Sequence, residues 1–185
     1  MNVTTLFPIA LCATNDGEIL AALGCRSEEF FVILRFSLSG ECRQYITNII
    51  ENWSEDRVRL LSGSKVYVVE NINKDICLSV NSSKTKAVIL ICSNGDHKLT
   101  YKGAGSSIPK PFVPRGLCTN VLGQILIADE KNRLIHVLNK EGGFLTIFGI
   151  PDEPRCIPIS ICTDNKNNLC IGCNDGEIRI LKYLD

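Results

Sequence analysis

Residues that do chemistry are scarce in this chain. Its 185 residues include two histidines, His97 and His136, with one tryptophan and one methionine. General-base catalysis needs a base, an orienting partner and a pocket, and two isolated histidines without paired carboxylates supply none of these. No catalytic residue, metal ligand set or cofactor is therefore expected. An excess of one charge is missing too, since Lys+Arg and Asp+Glu both number 20. Net charge thus gives no reason to expect nucleic acid or an anionic membrane as an obligate partner. There is no apolar run of the roughly 20 residues that cross a bilayer, and no heptad pattern that would make a coiled coil. Residues 6–13 are apolar (LFPIALCA), but they have no basic lead-in and carry a proline, so they read as structure and not as a secretory leader.

What the chain does have is a repeat. Leu11-Cys12, Val68-Val69, Leu117-Cys118 and Ile161-Cys162 are apolar pairs, and seven residues after the second member of each stands Ile19, Ile76, Ile125 or Leu169. The starts, at 11, 68, 117 and 161, lie 57, 49 and 44 residues apart. A supersecondary unit at such a period indicates a repeat architecture, in which function sits on the surface that the array presents. The third copy is the clearest, with apolar runs at 117–119, 125–128, 134–138 and 144–148 separated by turns rich in Gly, Asn and Asp. Four short runs of β-formers punctuated in this way predict an antiparallel meander. So small a meander is marginal alone and must stack on copies of itself.

Residues 1–185 thus divide into units at about 8–46, 64–102, 114–149 and 157–185, with 47–63 as an insertion. Ile46, Ile49, Ile50 and Trp53 have helical spacing, so residues 44–61 fit either a short helix or an irregular link. The fourth unit ends without a fourth strand, and residues 3–7 form a lone strand candidate ahead of the first. The predicted fold is all-β, a β-propeller fragment of about four four-stranded blades. An open arc with exposed edge strands, prone to self-association, is expected. The competing arrangement pairs residues 3–6 with 178–181 and closes a four-bladed ring.

Seven of the ten cysteines (Cys12, Cys77, Cys92, Cys118, Cys156, Cys162 and Cys170) sit beside isoleucine or leucine or near such residues, where a thiol behaves as a small buried hydrophobe. This fits reduced thiols and a cytoplasmic location better than a disulfide framework. Three glycosylation triplets, at Asn2, Asn52 and Asn81, would matter only in a secreted chain. Cys170-x-x-Cys173 invites a zinc or redox reading, but residues three apart on a strand face opposite ways, and no second pair lies at ligand spacing.

The third unit also resembles a known repeat. Pro114-Arg115-Gly116-Leu117-Cys118, Gly123-Gln124-Ile125-Leu126-Ile127-Ala128-Asp129, Asn132-Arg133-Leu134-Ile135-His136-Val137-Leu138 and Gly143-Phe144-Leu145 together resemble an NHL repeat. Asn132-Arg133-Leu134 holds the place of Asn-His-Leu, with arginine for histidine. Asp75-Ile76-Cys77, residues 87–91 and Tyr101-Lys102-Gly103 look like the preceding blade. In particular, residues 8–183 resemble the C-terminal propeller of tripartite-motif (TRIM)-like proteins of invertebrates. The resemblance implies a six-bladed propeller behind a RING finger, B-boxes and a coiled coil. The Cys/His spacing of RING and B-box modules is absent here, so only the partner-binding half carries over.

A propeller gathers the loops between second and third strands at one end with the links between blades. Eight basic residues fall there: Arg26, Lys84, Lys86, Lys110, Arg115, Lys131, Arg133 and Arg155. Arg115, Lys131, Arg133, Lys84 and Lys86 are the expected partner-binding residues, with Arg115 and Arg133 exposed. Acidic residues share those loops, which favours a mixed-charge rim over an RNA site. The function expected is non-enzymatic recognition of a protein partner. RNA binding through the basic loops, or substrate recognition for a ubiquitin ligase, are the alternatives.

Overall fold

The computed structural model describes residues 6–25, 31–46, 64–105, 108–151 and 155–183. Among the described residues, fifteen strands form four separate antiparallel sheets in chain order. The first sheet holds β1 (Leu6–Ala13), β2 (Ile19–Cys25), β3 (Phe31–Phe36) and β4 (Cys42–Ile46). The second holds β5 (Lys65–Glu70), β6 (Ile76–Asn81), β7 (Lys86–Ile91) and β8 (His97–Tyr101). The third holds β9 (Pro114–Thr119), β10 (Ile125–Asp129), β11 (Leu134–Leu138) and β12 (Phe144–Gly149). The fourth has three strands, β13 (Pro158–Thr163), β14 (Leu169–Cys173) and β15 (Ile178–Leu181). The first strands β1, β5, β9 and β13 neighbour one another in that order, as blades around an axis do. Among the described residues nothing pairs β15 with β1, and the blades form an open arc. The strand candidate at 3–7 and the 47–63 insertion lie wholly or mostly outside the described residues.

Side-chain alternation explains why the blades stack. Ile76, Leu78 and Val80 of β6 join Ala87, Ile89 and Ile91 of β7 in a core shared with Leu20, Ala22 and Ile33 of the first blade. The intervening Cys77, Val88 and Leu90 face the other way, onto Leu117, Ile125 and Ile127 of the third blade. Leu126, Ala128 and Ile135 then meet Ile161, Leu169 and Ile171 of the fourth. A central strand buried on both faces reads as a continuous apolar run, as Ile125–Ala128 do in β10, whose five residues are all buried. Gly116 lets the backbones of neighbouring first strands approach closely: a Cβ there would stand 2.6 Å from the Ser160 Cα of β13.

The seven-residue offset in the sequence also has a structural cause. Each second strand begins on the predicted residue, Ile19, Ile76, Ile125 or Leu169, after a five-residue turn headed by Thr14, Asn71, Asn120 or Asp164. In each turn the head's side-chain oxygen accepts the backbone N–H of the residue four on, at 2.8–3.0 Å. The fourth turn residue is left-handed, at Gly17 (φ 77°), Lys74 (64°), Gly123 (73°) and Asn167 (63°). Residues with a small polar side chain head such turns because they satisfy backbone donors locally.

Candidate recognition faces and a buried polar cluster

At the end of the blades bearing the β6–β7 and β10–β11 connections, Lys84, Lys86, Lys131 and Arg133 are exposed. Arg133 holds a left-handed conformation (φ 59°) in its turn. Arg115 departs from expectation. It is buried in β9, and its guanidinium donates to Glu130 at 2.8 Å. Packing between neighbouring first strands covers it, because β9 lies between β5 and β13. Arg115 is therefore a structural residue of the third blade and drops out of the recognition set. Of the eight basic residues, Arg26 lies outside the described residues.

The same end of the third blade contains a buried polar cluster. Asp129 Oδ1 accepts the backbone N–H groups of Val113, Lys131 and Asn132 at 3.2–3.3 Å. Its Oδ2 accepts Asn132 Nδ2 at 2.6 Å and His136 Nε2 at 3.2 Å. His136 Nδ1 lies 2.8 Å from Tyr101 Oη. A carboxylate can only accept, so in its neutral form the imidazole carries its proton on Nε2 and takes the tyrosine proton's hydrogen bond at Nδ1. Burial pushes the Asp129 carboxyl up, but hydrogen bonds from His136, Asn132 and Val113 outweigh it and hold the group below its ordinary value. Burial, and secondarily the Asp129 charge, pushes the Tyr101 hydroxyl up. Phe112 and Tyr101 rings close around the imidazole. His136 and Asp129 have no exposed surface, and Tyr101 is buried as well. This tyrosine–histidine–aspartate line ties the second blade and the link at 108–113 to the third. Asn132 adds two bonds to the Lys110 backbone.

The opposite end presents a different chemistry. Ile72, Val121 and Leu122 stand on the first turns of the second and third blades, each more than half exposed. Ile72 packs against Gly123, so the two tips join in one aliphatic ledge. Polar bridges fix its flank: Asn71 and Asn73 donate to the Lys140 carbonyl, and Lys98 bridges Asp75 and Glu141 at 2.7 and 2.5 Å. Lys74 and Asp16 pair at 2.6 Å between the first and second blades. Sequence pattern could have flagged Ile72 and Val121-Leu122, because apolar residues inside a turn have no core to enter.

Cysteine chemistry also departs from the sequence expectation. Cys156, in the link before β13, forms a disulfide with Cys173 at the end of β14, so not every thiol is reduced. Seven described cysteines are free, with Cys77 and Cys118 buried, and burial pushes the Cys118 thiol up to about 12. Among the described residues no group of three or more His, Cys, Asp or Glu could hold a metal ion. No helix there is long and apolar enough to cross a membrane. Exposed His97 bonds Thr100 at 2.9 Å.

No protein-family model matches the chain, and no curated protein matches it. Solved structures do. A streptogramin B lyase superposes with a TM-score of 0.61 at 15% identity, covering 97% of this chain and 56% of that one. Virginiamycin B lyase from Staphylococcus aureus gives 0.58 at 19% identity, over 98% and 57%. A putative gluconolactonase gives 0.61 at 14%, over 93% and 59%. The protein has a β-propeller fold, and its chain spans less than two thirds of the length of these structures. At such identities the likeness extends to the fold alone.

Proposed function

We propose that this chain is a non-enzymatic recognition module that binds a protein partner through an end of its blades. The observation that carries this reading is the exposed aliphatic ledge of Ile72, Val121 and Leu122. Exposed apolar side chains clustered on rigid turns suit a protein surface, whereas a nucleic-acid site needs unpaired cations with stacking aromatics. Arg115 is withdrawn into its pair with Glu130, which weakens the basic end as a phosphate cradle. Lys84, Lys86, Lys131 and Arg133 act in this reading as a second, polar contact region. The resemblance to TRIM-like propellers supports the finer reading, that such a module selects the partner or substrate of a longer protein in the cytoplasm. Open blade faces at both ends of the arc add self-association as a further mode.

The test is a comparison of Ile72→Asp/Leu122→Asp with Lys131→Ala/Arg133→Ala, in partner capture from cells and in binding to single-stranded RNA across a salt series. Loss of captured partner in the aspartate variant, with an unchanged melting temperature, supports the reading. Tight RNA binding that weakens steeply with salt and fails in the alanine variant refutes it in favour of RNA recognition.

A further inference from the structure

The fourth blade carries a pair of cysteines that the recognition reading does not use. Cys162 of β13 and Cys170 of β14 are direct partners in the antiparallel register. Such residues project from the same face, with Cα atoms about 4.5–5.5 Å apart, inside the window of about 4.4–6.8 Å that a disulfide spans. The face is the one turned away from the third blade, because the intervening Ile161, Leu169, Ile171 and Cys173 fill the core shared with that blade. Cys162 is exposed and Cys170 half-buried, and both are free thiols. Other free cysteines lack this arrangement: Cys12 faces Leu20, Cys42 faces Phe36, and Cys118 faces Leu126.

We propose that Cys162 and Cys170 form a cross-strand dithiol site, which a low-molecular-weight disulfide oxidises reversibly to an intramolecular disulfide. The Cys162 thiolate attacks one sulfur of the small disulfide, forming a mixed disulfide and expelling the first thiolate. The Cys170 thiolate then attacks the Cys162 sulfur, the protein disulfide forms and the second small thiolate leaves. Two protein thiols are oxidised, one small disulfide is reduced to two thiols, and the two protein protons end on those thiols. Cys162 leads because it is the more accessible, and Cys170, held directly opposite it on the adjacent strand, is placed to resolve the mixed disulfide.

The test exposes the purified full chain to oxidised glutathione, quenches in acid and maps peptides without reduction. Exposed Cys42, which has no opposing thiol, is the internal reference and keeps its glutathione adduct. Cys162 is expected to show roughly tenfold less adduct than Cys42, since its resolving thiol is held at high effective concentration, with the Cys162–Cys170 cross-link in its place. Excess reduced glutathione returns both to thiols. In Cys170→Ser the adduct persists on Cys162. A wild-type chain whose Cys162 keeps its adduct as Cys42 does, stays unmodified, or links to a second molecule overturns the proposal, and that comparison needs no variant.

Discussion

Replacing Asp129 by alanine should destabilise the domain by about 3–5 kcal/mol, because two buried donors lose a charged acceptor. The structure shows where the loss arises. Three of the five accepted bonds come from backbone N–H groups at 3.2–3.3 Å, long enough to be weak, and their donors include turn residues that water can reach. The other two come from Asn132 Nδ2 and from His136, which has no access to water. Hydrogen bonds to a charged acceptor contribute roughly 1.5–3 kcal/mol each, and a buried donor left unpaired costs about 1–3. Asp129→Asn keeps an acceptor for the backbone but turns its amide toward two donors, and should fall between alanine and wild type. The folded carboxyl lies below its ordinary value, so its stabilisation is fully present above the unfolded value of about 3.9 and is lost as pH falls through the folded one. Urea unfolding of wild type and Asp129→Ala at pH 7 and pH 3 reads both effects. The gap between them should be largest at pH 7 and narrow at pH 3. A gap below about 1 kcal/mol at neutral pH, the worth of one ordinary hydrogen bond, or one unchanged in acid, would refute the reasoning.

Two further outcomes test the packing. Gly116→Ala forces a methyl against the β13 backbone and should cost about 1–3 kcal/mol, lowering Tm by about 2–4 °C for each; an unchanged melt would mean that the first strands are not held so close. Arg35→Ala should cost about 3–5 kcal/mol, because Arg35 pairs at 2.6 Å with a Glu70 side chain that is 2% exposed, and Arg35→Ala/Glu70→Gln should recover part of the loss. Denaturant curves in which the double variant is no better than the single would show that the buried charge is not the cause.

The arc of blades was legible in the sequence because apolar alternation survives where residue identity does not. Thr14, Asn71, Asn120 and Asp164 are three residue types in one role, so no identity motif marks the turns. Yet each turn has five residues, and a fixed turn length keeps the apolar offset constant. The polar cluster was partly legible. Asp129 opposes Leu134 in the β10–β11 register, and two residues on, His136 shares that face, so the hairpin alone predicts their meeting. Tyr101 belongs to another blade, 35 residues from His136, and its approach depends on how blades stack. Arg115 was misjudged for a related reason: its place in the loop pattern suggested exposure, while the neighbouring first strands bury it.

Comparing the third and fourth blades shows one mechanical need met by two chemistries. After β10, the Glu130 N–H donates to Val113 of the incoming link; after β14, the Asn174 N–H donates to Ile157, both at 3.0 Å. The last residue of the second strand then tightens each link. In the third blade Asp129 accepts the Val113 N–H, and in the fourth Cys173 bonds covalently to Cys156, one residue before Ile157. Asp129 and Cys173 hold equivalent positions, which explains how an aspartate and a cysteine occupy the same column of the repeat. The two clamps respond to different conditions. Protonation removes the charge that holds the first, and thiol exchange opens the second, whose loss would release the constraint on a loop of sequence separation 17, worth about 3 kcal/mol at that length. Acid therefore acts on the link entering the third blade and reductant on the link entering the fourth.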